Sequence, residues 1–129
     1  MMVDYANERQ QFGQKIGDFQ LVQEMIANSI IEVNAARLML LRAAWDRDQG
    51  SDARDWISMV KVHAAETLGR IADRAVQVFG GMGYCEDIPV ARMYRDSRIY
   101  RIFDGTSEIH RTGVARRTLK VGSSVFDLI

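Results

Sequence analysis

The residues best suited to chemistry lie in one short stretch before the last predicted helix, residues 103–108. Asp104 supplies a carboxylate, which can act as a general base, and Thr106 and Ser107 supply hydroxyl groups. The same residue types also cap helices, because their oxygens accept hydrogen bonds from free N–H groups and acids interact well with the start of the helix dipole. On its own, this stretch is either an ordinary helix start or part of a catalytic site.

A second candidate is the glycine cluster Gly80, Gly81 and Gly83. A backbone without side chains lets a ligand approach closely, but glycines also end helices, since glycine adopts the left-handed conformation at little cost. A dinucleotide-binding fingerprint requires a strand before its glycines, and here a helical pattern precedes them. The residues alone therefore favour a helix end.

The histidines and the single cysteine give no sign of a metal site. His63 and His110 lack the glutamate three residues earlier that a di-iron bundle requires. No cluster of ligands with zinc spacing surrounds Cys85. A lone cysteine also excludes an internal disulfide and indicates a reducing compartment such as the cytoplasm.

The number and positions of the charged residues argue against nucleic-acid binding and against a membrane span. Lys plus Arg and Asp plus Glu both number 17, so the net charge is zero and provides no electrostatic footprint for nucleic acid. Charged residues also interrupt the longest apolar stretches, so no membrane span is expected. The interrupting residues are Glu24, Glu32, Arg37 and Arg42.

Apolar residues that repeat every three or four positions predict the helices that must position these candidates. The first long helix runs from Phe19 to about Gln49, with Asp18 as its N-cap. The second follows Ser51 and Asp52 as capping residues and ends at the glycine cluster. Both are long enough to form walls of a bundle.

The rest of the chain is predicted as shorter elements. Residues 2–10 form the last turns of a helix, residues 12–18 a loop, and residues 89–100 and 106–120 two more helices. No alternating run of strand length occurs. We therefore predict an all-α, antiparallel four-helix bundle over residues 1–120, followed by a tail, residues 121–129, which could dock through Phe126 and Leu128.

Four stretches have a characteristic order and spacing. They are Tyr5-x-x-x-Arg9-x-x-Phe12-Gly13-x-x-Ile16-x-x-Phe19-Gln20, Ala75-Val76-Gln77-Val78-Phe79-Gly80-Gly81-x-Gly83-Tyr84, Pro89-Val90-x-Arg92-x-Tyr94-Arg95-Asp96, and Gly105-Thr106-Ser107-Glu108-Ile109 followed by Arg111. Together they resemble the acyl-CoA dehydrogenase family over about residues 5–120. Each motif alone is modest, whereas four in register form a specific signal.

The resemblance implies that the chain is the C-terminal helical domain of a three-domain flavoprotein. Such an enzyme uses FAD to dehydrogenate an acyl-CoA thioester between its α and β carbons. The resemblance further implies a homo-oligomer, either a dimer or a tetramer, and an electron-transfer flavoprotein as a partner. The isolated domain is expected to be inactive, because the other two domains supply most of the flavin site.

The resemblance also assigns residues to the cofactor. Arg9 is expected to pair with the pyrophosphate of FAD in the neighbouring subunit, a contact suited to a guanidinium group. The other residues expected to contact that FAD are Gln11, Phe12, Phe19, Gln20, Gln77, Val78, Phe79, Gly80 and Gly81. Thr106, Ser107 and Glu108 are expected to meet the FAD of their own subunit at a helix N-terminus.

Asp104 matches the position where many members of the family place a catalytic glutamate, with Gly105 beside it in the substrate-binding turn. Aspartate is one methylene shorter than glutamate, which leaves three alternatives open. Asp104 is the base in a reshaped pocket, or the base lies upstream of this chain, or the enzyme resembles nitroalkane oxidases, which use an aspartate. A non-catalytic helical assembly module is a further alternative.

Overall fold

A long helix, α3 (Arg54–Phe79), lies at the centre of the fold. The computed structural model describes residues 1–122. Two other helices pack along α3, namely α2 (Gln20–Asp48) and α6 (Ser107–Val121). Three shorter helices, α1 (Met2–Glu8), α4 (Gly81–Tyr84) and α5 (Val90–Ser97), complete the helical part. The prediction of an all-α bundle is confirmed.

Cross-helix contacts show that α2 and α6 both run antiparallel to α3. Glu32 near the start of α2 accepts hydrogen bonds from Arg70 and Arg74 near the end of α3. Arg42 later in α2 lies 5.6 Å from the ring of Trp56 at the start of α3. On the other side, Arg117 and Arg111 of α6 bind Asp55 and Glu66 of α3, respectively.

The segment between α1 and α2 differs from the prediction. Instead of a plain loop, two short strands, β1 (Gln10–Gln11) and β2 (Gln14–Lys15), pair antiparallel. A 3₁₀ turn (Ile16–Asp18) follows, so the prediction of Asp18 as an N-cap is wrong, and Phe19 occupies that position without a capping side chain. Two-residue strands are too short to produce a recognisable alternation.

The other predicted boundaries agree to within a few residues. The prediction of Ser51 and Asp52 as capping residues of the second long helix is wrong, because Ala53 is its N-cap, although Asp52 accepts a hydrogen bond from the Arg54 N–H at 3.2 Å. The predicted helix over residues 89–100 is α5 followed by a 3₁₀ turn (Arg98–Arg101). Helix α6 extends to Val121, one residue into the predicted tail, and Phe126 and Leu128 lie outside the described residues.

Small side chains dominate the interior. Among residues 1–122, five of the eight buried hydrophobic residues are alanines, which allow helices to approach closely. Many large apolar side chains of α2 are exposed instead, including Leu21, Ile31, Leu38, Leu41 and Trp45. Apolar surface of this kind typically marks an interface. Within residues 1–122, no helix combines the length and hydropathy needed to cross a bilayer.

Candidate active site

The β1–β2 hairpin carries the first group of predicted ligand-binding residues. Its turn consists of Phe12 and Gly13, which have φ angles of 54° and 80°. Two positive φ angles match the twist of a two-residue hairpin, although an aromatic residue rarely adopts one. The Phe12 side chain is 93% exposed, and its ring meets the edge of Phe19 with the centroids 6.2 Å apart. The hairpin therefore presents an aromatic ring at its tip.

Arg9 precedes β1 and is exposed. Among the residues that the structure describes, its guanidinium group makes no ion pair or hydrogen bond. An uncommitted guanidinium can bind a phosphate with two parallel hydrogen bonds. Two further predicted residues of this segment are also exposed, Gln11 and Gln20.

The second group lies where α3 ends. Gly80 has φ 61° and ψ −139°, a conformation that is accessible almost only to glycine. A Cβ atom built on Gly80 or Gly81 would have no neighbour within 4 Å, so this backbone is open to a ligand. Val78 and Phe79 are buried, which leaves only their backbone for ligand contact, whereas Gln77 is exposed.

Gly83, in contrast, has a packing role. A Cβ atom there would lie 2.7 Å from the Val76 carbonyl oxygen and 2.7 Å from the Phe79 Cβ atom. No real side chain tolerates these distances, so glycine is required for α4 to fold back against α3. The glycine cluster thus combines an open backbone at Gly80 and Gly81 with a close helix contact at Gly83, and ligand binding at the open part stays a prediction.

An aromatic stack joins these two groups. The rings of Tyr5 in α1 and Phe79 in α3 are stacked with centroids 4.2 Å apart and planes 15° apart. Because Arg9 and the hairpin directly follow α1, this contact holds them at the same end of the bundle as Gly80. The stack therefore places α1, which leads into Arg9, against the end of α3, where the glycine segment begins.

The third group is the turn before α6, residues 102–106. Asp104 has φ 54° and Gly105 has φ 92°, so two consecutive residues are left-handed. Thr106 is the N-cap of α6, and its Oγ1 accepts a hydrogen bond from the Ile109 N–H at 3.3 Å. Asp104 is exposed, so its carboxylate is accessible from outside this chain.

The first turn of α6 has two contrasting polar groups. The pKa of Glu108 lies below its usual value, because its own backbone N–H and then the Thr106 hydroxyl donate hydrogen bonds to the carboxylate. Ser107 is almost fully buried, and its hydroxyl has no hydrogen-bond partner among residues 1–122. A buried polar group without a hydrogen-bond partner costs free energy. The Ser107 hydroxyl can therefore still form a hydrogen bond with another molecule.

Three residues that sequence reasoning missed hold this turn. Lys61 Nζ donates hydrogen bonds to the carbonyl oxygens of Tyr100 and Gly105, and His110 Nε2 lies 3.1 Å from the Asp104 carbonyl oxygen. Glu66 binds arginines on both sides of the turn, Arg101 at 3.8 Å and Arg111 at 2.6 Å. Lys61 and Glu66 lie about forty residues away in sequence, so no local pattern could identify them.

The Asp104 turn and the Gly80 segment lie at different ends of α3. Lys61, which contacts the turn, is near the start of that helix, and Gly80 directly follows its end, so about 28 Å of helix separates them. One chain does not unite the predicted catalytic residue with the glycine segment. This separation agrees with their assignment to two different FAD molecules, an assignment that stays a prediction.

Comparisons with known proteins place this geometry in a family. The family model described as "Acyl-CoA dehydrogenase, C-terminal domain" matches residues 1–119. The (R)-benzylsuccinyl-CoA dehydrogenase of Thauera aromatica is 43% identical over 95% of this chain and 30% of its own length. The CarC subunit of the caffeyl-CoA reductase–Etf complex of Acetobacterium woodii is 40% identical over 92% of this chain and 31% of its own length.

Solved structures agree on the fold. The FAD complex of PigA superposes with a TM-score of 0.89 at 36% sequence identity, covering 94% of this chain and 32% of that one. The chain spans about a third of the length of the curated relatives it matches. From the match over residues 1–119 and the shared helical architecture, the chain belongs to the acyl-CoA dehydrogenase family and corresponds to its C-terminal domain.

Proposed function

We propose that this chain is the C-terminal domain of an FAD-dependent acyl-CoA dehydrogenase and that Asp104 is its catalytic base. The observation that carries this proposal is the geometry of the turn before α6. There an exposed carboxylate sits on a left-handed residue directly ahead of a capped helix. A carboxylate fixed in this way is suited to removing the proton from the carbon next to a thioester carbonyl.

Two groups of Asp104 act on the substrate in this proposal. The Asp104 carboxylate accepts the α-proton, and the backbone N–H of the same residue polarises the thioester carbonyl, which stabilises negative charge as it develops. Gly105, whose φ of 92° favours glycine, carries the chain from Asp104 to the N-cap of α6. FAD, when bound, supplies the two-electron acceptor that dehydrogenation requires.

The residues at the other end of the bundle fit a dinucleotide. Arg9 offers a guanidinium group with no partner in the described part of the chain, which suits a pyrophosphate. Gly80 and Gly81 offer a backbone that nothing covers within 4 Å of a built Cβ atom. Phe12 offers an exposed ring that can pack against a planar group. The unpaired Ser107 hydroxyl gives the Asp104 turn a further contact.

We also propose that the complete protein is a homo-oligomer, because α2 exposes a series of large apolar side chains. The assignment of Arg9 and the Asp104 turn to different subunits requires such an assembly.

An electron-transfer flavoprotein is the proposed redox partner, since one relative is named as a subunit of an Etf complex. The exposed Cys85 suits a reducing compartment such as the cytoplasm.

A second function rests on the identity of residue 104. Aspartate at this position also suits a nitroalkane-oxidising flavoenzyme on the same scaffold, in which the base removes a proton next to a nitro group. Both reactions begin with proton removal by Asp104, so the substrate alone distinguishes them. Turnover of acyl-CoA thioesters but not of nitroalkanes by the complete protein supports the first function, and the reverse supports the second.

The test of the base is Asp104→Asn in the complete protein with FAD bound. Loss of the proton acceptor should lower turnover by about 10²- to 10⁴-fold, while the visible flavin spectrum stays unchanged. Asp48→Asn, an exposed aspartate at the end of α2, is the matched control and should retain full activity. Normal turnover by Asp104→Asn would assign the base to a carboxylate upstream of this chain.

A further inference from the structure

We propose that Lys61 and His110 are positioning residues that hold Asp104 in its left-handed conformation. The inference rests on the proposed function, because it concerns the placement of the proposed base. Lys61 lies outside the motifs that indicated the family, and His110 lies within the fourth motif at a position that was not matched. Both reach the turn from neighbouring helices, Lys61 from α3 and His110 from α6.

Lys61 spans the turn from one side. Its ammonium group donates hydrogen bonds to the carbonyl oxygens of Tyr100 and Gly105, the latter at 3.2 Å. It also lies 5.6 Å from the centroid of the Phe103 ring, within the range of a cation–π interaction. One side chain therefore contacts the residues before and after Asp104.

The partners of Lys61 are unusual for a lysine. No carboxylate lies within ion-pair distance of its ammonium group in the described part of the chain. A surface lysine usually faces water or a nearby acid, whereas this one is partly buried against the carbonyls of a single turn. Hydrogen bonds from a charged donor are stronger than neutral ones, so Lys61 is well suited to fixing the path of this backbone.

His110 holds the turn from the other side. Its Nε2 atom lies 3.1 Å from the carbonyl oxygen of Asp104, a distance that allows a hydrogen bond when this nitrogen carries the proton. The ring packs directly on Gly105, since a Cβ atom built there would be 2.8 Å from Nε2. Gly105 is thus favoured by its φ angle, and the imidazole occupies the space that a Cβ atom would take.

Together the two side chains bind three carbonyl oxygens, those of Asp104 and Gly105 in the turn and that of Tyr100 shortly before it. A non-glycine residue at positive φ persists only where its surroundings determine the conformation, and such residues cluster at functional sites. If the hydrogen bonds of Lys61 or of His110 are lost, Asp104 can return to an ordinary backbone conformation. Its carboxylate then moves relative to the substrate, and a displacement of about 1 Å can cost about 100-fold in rate.

The test replaces Lys61 in the complete protein with FAD bound. Lys61→Met keeps the length of the side chain and removes its donors, and it should lower kcat by about 10- to 100-fold with KM nearly unchanged. Lys61→Arg keeps a charged donor and should recover most of kcat. Lys120→Met, which removes an exposed lysine from α6, is the matched control and should behave as the parent protein.

Hydrogen–deuterium exchange provides a readout that is independent of turnover. In Lys61→Met, the amides of residues 102–106 should exchange faster while those of the remainder of α3 keep their protection. His110→Leu should produce the same local change, so it serves as a second test if Lys61→Met does not fold. Faster exchange throughout α3, with kcat and KM both impaired, would show a merely structural role and overturn the proposal.

The outcomes separate this inference from the proposed function. If Asp104→Asn abolishes turnover but Lys61→Met and His110→Leu leave both kcat and the exchange of the turn unchanged, the positioning role is wrong and the base assignment stands. If Asp104→Asn retains turnover, the base assignment itself fails. Local loosening with a lower kcat and recovery by Lys61→Arg supports the positioning role.

Discussion

The hairpin tip and the Asp104 turn use the same backbone geometry in different surroundings. Each has a non-glycine residue with a φ of 54° followed by a glycine at positive φ, Phe12–Gly13 in one and Asp104–Gly105 in the other. No other non-glycine residue among residues 1–122 has a positive φ. Nothing lies within 4 Å of a Cβ built on Gly13, whereas the ring of His110 would collide with one on Gly105.

This difference separates a preorganised turn from an open one. Lys61, His110 and the paired arginines of Glu66 fix the Asp104 turn, while the hairpin is held by its short strand ladder and by Phe12 against Phe19. A group that performs chemistry must be fixed before the substrate arrives. A ring that packs on a cofactor can be ordered by the cofactor itself.

The largest expected effect comes from adding one methyl group to each glycine. Gly105→Ala combines a strained φ of 92° with a collision against His110, so it should destabilise the fold by about 2–4 kcal/mol. Gly13→Ala has the strain without the collision and should cost about 1 kcal/mol. Urea unfolding followed by circular dichroism measures both. Equal losses would contradict the contrast between the two turns.

A smaller effect is expected at the hairpin tip. Asparagine adopts positive φ more readily than phenylalanine, so Phe12→Asn should leave the stability unchanged or raise it by about 0.5–1 kcal/mol. The same change removes the exposed ring and should weaken FAD retention by the complete protein, measured by flavin release on dilution. Gln14→Asn, beside the turn, is the control. Unchanged FAD retention in Phe12→Asn would exclude a cofactor contact for this ring.

The smallest effect concerns pH. The pKa of Glu66 lies below its usual value, because Arg111 donates a hydrogen bond to it and Arg101 adds a further attraction. A lowered folded-state pKa means that this carboxylate stabilises the fold above the unfolded-state pKa, and that the contribution is lost as the pH falls through the lowered value. Near about pH 4 and below, the Asp104 turn should therefore loosen before the hairpin does, as measured by amide exchange.

Two variants isolate that carboxylate. Glu66→Gln should loosen the Asp104 turn already at neutral pH and remove much of its acid sensitivity. Glu32 also has a lowered pKa, caused first by Arg74 and then by Arg70, but it joins α2 to α3 and forms its ion pairs with α3 and not with residues 102–106. Glu32→Gln should therefore leave the pH response of the turn intact. A turn that loosens equally in both variants would argue against a local role for Glu66.

Local sequence signals predicted most of the fold. The helices α2, α3 and α6 were predicted from apolar residues within a few positions of one another, and the structure confirms them. The hairpin escaped because its strands have two residues each. Helix α4 was not predicted, because it begins with Gly81 and contains Gly83, and glycine is a poor helix former.

The candidate site was predictable only in part. Motif resemblance located Asp104, Arg9 and the glycine segment, and the structure adds that Val78 and Phe79 turn their side chains into the core. Lys61 could not be found, because its contacts join residues 39 and 44 positions apart. Glu66 likewise acquires its role from where α6 packs along α3, whereas His110 contacts a residue only six positions before it. The roles of Lys61 and Glu66 depend on tertiary packing, which no sequence window contains.

Helix α3 sets the distance between the Asp104 turn and the glycine segment. It holds Lys61 and Glu66 near one end and leads into Gly80 at the other, with no interruption along its length. One residue inserted in the middle of α3 would rotate the Gly80 segment by about 100° around the helix axis and move it about 1.5 Å along that axis, relative to Lys61. Changes in the length of this helix are therefore tolerable only in steps close to whole turns, which makes its residue count, and not only its composition, a property that selection must preserve.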